Sequence, residues 1–277
     1  MTDQGASYNL DLSAEAFKCI LPEEYQRKFI ENGIRPDGRK FSESRSLTVQ
    51  SNALSDTNGS CLVRCGSTIF ICGIRAETAE PDIQNPNQGW VVPNVDFSPM
   101  CSPKLRPGPP SDMAQAMSER IYSIFQSSKL LSLADLCIEP GKVAWVLYAE
   151  ITCLNLDGNA FDSAWLAFIS ALESTTLPIA YWNEDTQAVL CKEGKRPVRL
   201  NRILYSFSYG LFKGKHVLAD LTEDEEDLIS ENVTIMHGSD GQLAHVSFAG
   251  SNILPDILSN CIALTHQRYN HVQGLVS

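Results

Sequence analysis

Apolar residues along the chain recur first at a spacing near 3.6, then near 2, and the switches between these periods lay out its elements. Residues 22–32 form a helical stretch with Tyr25, Phe29 and Ile30 on one side and Gly33 as its stop. Three short runs rich in Val, Ile, Leu and Phe follow at 45–50, 60–65 and 68–74, with turn residues between them, and predict strands. Residues 90–95 predict a further strand, confined to a sheet edge by Pro93, which has no N–H for a central ladder. Four prolines make 101–111 a stiff connecting loop. Asp112 is placed to cap a helix over 112–128, whose Met113, Ala116, Met117, Ile121, Ile124 and Phe125 recur at helical spacing. Residues 142–156 predict a long strand with Trp145, Leu147, Ala149, Ile151 and Cys153 on one face and Glu150 and Thr152 on a wetter one. An apolar helix over 159–173 carries Phe161, Ala164, Trp165 and Phe168.

The second half is strand-rich, with runs at 187–191, 203–212, 216–221, 232–237 and 242–248. Asp240-Gly241 supplies the hairpin turn between the last two, and a helix over 253–272 closes the chain through Ile257, Leu258, Cys261, Ile262 and Tyr269. Strands leading into helices in each half predict an α+β fold, helices packed on sheets. The expected organisation is an N-terminal extension (1–21), a first half (22–180) and a second half (181–277). The halves join near 175–185 as one compact unit without a sequence repeat.

At 277 residues the chain is long enough to bury a core without disulfide or metal staples. With 43% hydrophobic and 20% charged residues it is no disordered segment, collagen or coiled-coil rod. Charge changes the picture more. The 33 acidic residues against 22 basic ones leave a net −11, which opposes unaided binding to nucleic acid or to an anionic membrane. Nine cysteines, an odd number without C-x-x-C spacing and mostly within apolar runs, are expected to be buried free thiols of a reducing compartment. The polar, acidic first residues lack a signal or transit pattern, and the apolar stretch near 164–172 is too short for a bilayer. A soluble intracellular protein is expected.

Four features stand out as candidate chemistry. Arg35-Pro36-Asp37-Gly38-Arg39, followed by Glu43 and Arg45, is turn chemistry with arginines placed to pair with carboxylates, and Arg35, Arg39 and Lys40 are alternatively phosphate ligands. Asp157-Gly158-Asn159-Ala160-Phe161-Asp162 turns the long strand into a helix whose N-terminus suits an anion, but Asp162 already supplies negative charge there and Phe161 has no donor. A capped core helix is the favoured account. The run Asp220, Glu223, Asp224, Glu225, Glu226, Asp227 and Glu231 offers carboxylates for magnesium or acid catalysis, although a solvated loop between strands is the preferred expectation. Lys192, Lys195, Arg196, Arg199 and Arg202 fall between strands without interleaved aromatics, as a basic edge or as a contact for a partner or RNA phosphate. No P-loop, dinucleotide fingerprint, zinc-protease motif or nucleophile elbow is present, and the five histidines lack metal spacing.

In this order the segments resemble the RNase PH family. The likeness begins with R-x-D-G-R-x-x-x-E-x-R at 35–45 and continues through Gly59-Ser60-Cys61-Leu62-Val63-Arg64-Cys65-Gly66-Ser67-Thr68, the Asp157-Gly158 junction and Asp220-Leu221-Thr222. More specifically, Gly89-Trp90-Val91-Val92-Pro93-Asn94-Val95-Asp96, Arg106-Pro107-Gly108-Pro109-Pro110 and Ile138-Glu139-Pro140-Gly141-Lys142-Val143-Ala144-Trp145 resemble the exosome ring subunits of that family that lack an active site of their own. The resemblance implies an RNase PH-like fold with layers like those of ribosomal protein S5 domain 2. It also implies a six-membered ring of related chains, S1/KH-type caps and RNA threaded through the channel to a separate nuclease. Nuclear and nucleolar residence, with cytoplasmic residence besides, follows from the same likeness.

Active members phosphorolyse RNA from its 3′ end using Gly-Thr-Arg, or a close variant, after the Asp-Gly turn and two aspartates six residues apart. The matching positions here are Asn159, Ala160 and Phe161, and, for the aspartates, Glu225 and Glu231. Losing a guanidinium and a hydroxyl and displacing two carboxylates argues against catalysis. Two arginines that related archaeal inactive subunits offer to RNA correspond to Glu119 and Ser123, with Arg120 about 100° away around the helix. Lys104 and Arg106 on the proline-rich loop are the candidate RNA contacts. The resemblance thus implies a non-catalytic ring component supporting ribosomal RNA processing and messenger RNA turnover, without metal or cofactor and without a membrane. The rivals are an active phosphorolytic exoribonuclease, a metal-dependent nuclease using Glu225 and Glu226, and an interaction protein outside any exosome.

Overall fold

The computed structural model describes residues 14–106, 108–250 and 254–276. Most of the N-terminal extension, and the first residue of the expected closing helix, lie outside these. Two sheets enclose one central helix. The first contains β1 (Leu47–Ser51), β2 (Gly59–Cys65), β3 (Thr68–Ala79), β4 (Trp90–Phe97), β5 (Cys137–Glu139) and β6 (Val143–Asn155), in the order β1-β2-β3-β6-β4 with β5 beside β6. β4 takes the edge, parallel to β6, as Pro93 requires. Its backbone N–H at Val95 donates to Ser118 Oγ (2.9 Å), so proline and serine together blunt that edge.

Ser118 belongs to α3 (Asp112–Ser128), and here one detail is corrected. The N-cap is Ser111, whose Oγ accepts from the Ala114 N–H; Asp112 instead adds negative charge to the first turn. The buried stripe runs through Ala114, Met117, Ile121, Ile124 and Phe125, and the expected core residues Met113 and Ala116 are exposed because they lie off it.

α4 (Ala160–Ser174) is buried from Ala160 through Leu172. A helix apolar all round must be enclosed, and this one packs on β2 and β3 and, across the core, on β9 (Leu204–Phe212). There the Trp165 indole N–H donates to Leu204 O at 2.8 Å. With β10 (His216–Ala219), β11 (Glu231–Gly238) and β12 (Leu243–Ala249), β9 forms the second sheet, ordered β10-β9-β11-β12. α6 (Pro255–Val276) packs mainly on β11.

The stretch expected to join the halves is itself a strand, β7 (Thr176–Asn183), paired with β8 (Ala188–Pro197) in a separate hairpin. β8 continues past the expected 187–191 and carries Lys192, Lys195 and Arg196, so these cations lie within a strand rather than between strands. Ahead of the first sheet come α1 (Ala14–Ile20), absent from the sequence expectation, and α2 (Pro22–Glu31). All nine thiols are free, but Cys19 and Cys191 are exposed and Cys137 half-buried, which corrects the expectation of uniform burial. Among the described residues no helix is long and apolar enough to cross a membrane, and no group of His, Cys, Asp and Glu is arranged to hold a metal.

Candidate functional site

β6 turns into α4 through Asp157-Gly158-Asn159, where Gly158 has φ +70° and Asn159 φ +48°. Glycine enters that region freely, and asparagine tolerates it. Gly158 also lies against the chain after Asp220. A Cβ there would stand 2.5 Å from Leu221 O and 2.6 Å from Glu223 N, both immovable backbone. Gly158→Ala is therefore expected to destabilise the fold by about 2–4 kcal/mol, read from urea unfolding, combining left-handed strain with steric overlap.

Asp220 is the hub of this junction. It is fully buried, with φ +52°. Arg45 closes on its carboxylate through the backbone N–H (2.8 Å), Nε (3.0 Å) and a terminal guanidinium nitrogen (2.8 Å), while Asn159 Nδ2 donates at 2.8 Å. Arg45 also donates to Asp157 O at 2.5 Å, and the Thr68 hydroxyl donates to Gly158 O at 2.8 Å, so one guanidinium ties three loops. Burial favours the neutral acid, but the Arg45 hydrogen bond and the charges of Arg268 and Arg45 win and hold Asp220 well below the usual carboxylate range.

The acidic run is solvated only in part: Asp224, Glu226 and Asp227 are exposed. Glu223–Glu226 is a short helix, α5, closed by a capping box between Thr222 and Glu225. Asp220, Glu225 and Glu231 are buried. Glu225 forms a bidentate pair with Arg35, itself fully buried; Arg35 Nε donates to Oε1 at 2.9 Å and another guanidinium nitrogen donates to Oε2. Arg35 donates further to Ala219 O (2.6 Å) and Asp220 O (3.0 Å). The arginines of 35–45 thus pair with carboxylates, and Glu225 is unavailable to a metal.

Across the turn, Glu226 is exposed as a residue but accepts from the Asn159 N–H at 2.7 Å, and desolvation of its carboxyl against the junction pushes its pKa up. It lines a cavity of about 140 Å³ together with Arg120, Asn159, Phe161, Ser208 and Asn232. Glu225 and Glu231, the carboxylates expected here, do not line it; their neighbours Glu226 and Asn232, also six apart, do. The reason is long-range: Arg35 draws Glu225 the other way, and alternation along β11 sends Glu231 and Asn232 to opposite faces. Asn159, Ala160 and Phe161 meet at the start of α4 as expected, all buried.

Arg120 reaches this cavity from α3. Its guanidinium carbon lies 3.8 Å from the Phe161 ring centroid, and it donates to Ser247 Oγ at 2.9 Å. This is close cation–π stacking, and it fills the space beside Phe161. Among the described residues no carboxylate pairs with Arg120, and burial lowers its pKa, with Asp162 acting in the opposite sense. Asp162 turns instead to β9, accepting from Ser206 Oγ (2.6 Å), Ser208 N (2.7 Å) and Ser208 Oγ (2.9 Å). Periodicity could not find Arg120, because the contact depends on a helix packed across the sheet edge. Glu119 and Ser123 are exposed, Glu119 beside a groove with Glu80 and Asp82 along β4. Lys104 Nζ sits 2.7 Å from Asp227 and 3.0 Å from Glu223, contacts that push its pKa up to about 12, whereas Arg106 is exposed.

The family model described as "3' exoribonuclease family, domain 1", RNase PH, matches residues 43–178. Over 262 residues the chain is 44% identical to the exosome complex component rrp43 of Schizosaccharomyces pombe, covering 94% of this chain and 97% of that protein. It is 31% identical over 248 residues to the exosome complex component Rrp42 of Methanopyrus kandleri, covering 89% and 92%. Among solved structures, a chain of the Archaeoglobus fulgidus exosome with RNA bound to the active site superposes with a TM-score of 0.81 at 22% identity, over 92% of this chain and 97% of that one. Rice Rrp46 superposes with a TM-score of 0.66 at 15% identity, over 87% and 98%. These two likenesses show the shared fold. The family match and the 44% sequence identity along nearly the whole length show that the chain belongs to the RNase PH family, alongside its exosome components.

Proposed function

We propose that this chain is a structural subunit of an exosome core ring that does not itself catalyse. It supports 3′-to-5′ RNA processing and degradation, including ribosomal RNA processing and messenger RNA turnover, by forming part of the wall of the RNA channel. Its partners are the neighbouring RNase PH-like subunits, the S1/KH caps and the RNA that passes through. It needs no cofactor of its own, and it resides in the nucleus and nucleolus and also in the cytoplasm.

The observation that carries the non-catalytic part is the Arg120–Phe161 stack. Where active relatives place an arginine on the helix to hold phosphate, this chain has an aromatic ring, and the neighbouring guanidinium is stacked on it. The second carboxylate position of the cavity is held by Asn232, an amide without general acid or base chemistry. Phosphate would also meet Glu226 and, nearby, Asp162, whose negative charge opposes it.

Incubating the purified chain with a 3′-labelled RNA and inorganic phosphate is expected to release no nucleoside diphosphate above a buffer control. Phosphate-dependent release would establish the rival reading, an active phosphorolytic exoribonuclease. Native mass spectrometry of the tagged chain purified from cells is expected to give a stoichiometric assembly with RNase PH-like neighbours. A chain recovered alone would overturn the ring reading.

A further inference from the structure

The basic run of the second half remains outside the site described above, and its surroundings differ from the sequence expectation. Between Thr176 and Arg202 lie five cations and three carboxylates, a positive segment in a chain of net charge −11. Tyr181 pairs with Leu190, Ile179 with Lys192 and Leu177 with Arg196, so these six residues share one face of the β7–β8 hairpin. Away from its buried foot at Leu177, that face is open: Ile179, Tyr181 and Leu190 are about two-fifths exposed, at 41%, 40% and 37%. Lys192 Nζ sits 5.1 Å from the Tyr181 ring centroid, so an aromatic is interleaved with the cations after all.

At the foot of the hairpin, Arg196 and Arg199 border a cavity of about 280 Å³ walled by Leu131, Leu136 and Leu177, with Asp135 beside them. Arg196 is held there by donating to Asp135 O at 2.7 Å. Among the described residues, Lys192, Arg196 and Arg199 form no ion pair with a carboxylate, unlike Arg45 or Lys104. Lysine is depleted at the cores of protein interfaces. An exposed ring flanked by unpaired cations matches instead the stacking platform and backbone charge that hold single-stranded nucleic acid.

We propose that this face of the β7–β8 hairpin is a contact for single-stranded RNA, with a base stacked on Tyr181 and the flanking phosphates met by Lys192, Arg196 and Arg199. The inference rests on the ring reading for its supply of RNA, although the contact itself is built by this chain alone. Lys195 provides an internal control, because the bulge at Glu193-Gly194 pairs it with Pro178 on the opposite face.

The test is photocrosslinking of the purified assembly to a 4-thiouridine oligonucleotide, with the crosslinked peptide identified by mass spectrometry. A crosslink within 176–202 is expected, weakened by salt and reduced about tenfold by Tyr181→Ala or Arg199→Ala, with little change in Lys195→Ala. An unchanged crosslink in Tyr181→Ala with the assembly intact would overturn the proposal. So would protection of the Tyr181 side chain from hydroxyl-radical oxidation in the RNA-free assembly relative to the free chain, which would make this face a subunit contact. If no ring neighbours copurify, the ring reading fails on its own, and the same crosslink on the free chain decides the part played by the hairpin.

Discussion

Arg35→Met is expected to lower the free energy of unfolding by about 3–5 kcal/mol, the cost of stranding one member of a buried ion pair. Methionine keeps most of the volume but removes every donor. Glu225 would then keep a carboxylate at 3% exposure with its guanidinium partner gone, and the carbonyls of Ala219 and Asp220 would lose theirs. Urea unfolding measures the loss. The informative control is the double variant Arg35→Met with Glu225→Leu. Replacing both charges by apolar groups of similar size is often close to neutral, so the double variant is expected to regain most of the loss. A residual deficit of about 1 kcal/mol should remain, because Glu225 also closes the α5 capping box by accepting from the Thr222 N–H at 3.0 Å. A double variant no more stable than Arg35→Met would show that the arginine acts through its carbonyl contacts rather than through Glu225.

The extent to which such contacts were legible in the sequence differs from element to element. α4 was plain because it is apolar on every side, a pattern with one physical solution, and β6 because its alternation is long and regular. The edge position of β4 follows from Pro93 alone, which is a constraint of covalent chemistry rather than of context. The expected strand at 187–191 stops short of β8 because Lys192 through Pro197 carry no apolar alternation; the pairing with β7 holds them in a strand that solvent covers. β7 leaves no signal in the sequence for a related reason: Thr176–Asn183 has partly buried residues on both faces, so no clean period emerges.

The candidate site was legible in its backbone and obscure in its side chains. The Asp157-Gly158 turn and the helix after it follow from local chemistry. Which carboxylate of the acidic run turns toward that helix does not: the Thr222-x-x-Glu225 spacing marks Glu225 for a capping box, but no local rule says which of the other carboxylates faces Asn159. Arg35, 190 residues away in sequence, settles the question by drawing Glu225 to its own side and leaving Glu226 beside Asn159. The Arg120–Phe161 stack is likewise a product of packing between α3 and α4, two helices that no periodicity relates.

Asp220→Asn is expected to cost about 3 kcal/mol at pH 7, and the cost should shrink on acidification. Asparagine accepts the left-handed backbone at φ +52°, so the substitution removes charge without adding strain. It leaves Arg45, and Arg39 beside it, without the buried carboxylate they face, and Asn159 Nδ2 without its acceptor unless the new amide is oriented to receive it. The pH dependence follows from the direction of the shift. Folding depresses the Asp220 pKa, so its contribution is complete above the unfolded value near 3.9 and is lost as pH falls from there toward the depressed folded value. Glu226 works in the opposite sense: desolvation of its carboxyl raises its pKa, and, although exposure of the residue weakens the effect, the folded state gains stability as pH falls through that raised value toward the unfolded value near 4.3. From these two groups the wild-type profile should rise slightly on mild acidification and then drop below about pH 4, whereas the Asp220→Asn profile should keep the rise and lose that part of the drop. Urea unfolding at intervals from pH 7 to pH 2.5 separates the two limbs. Parallel profiles for both proteins across that range would mean that the Asp220 carboxylate is not the group whose protonation loosens the junction between β6 and α4.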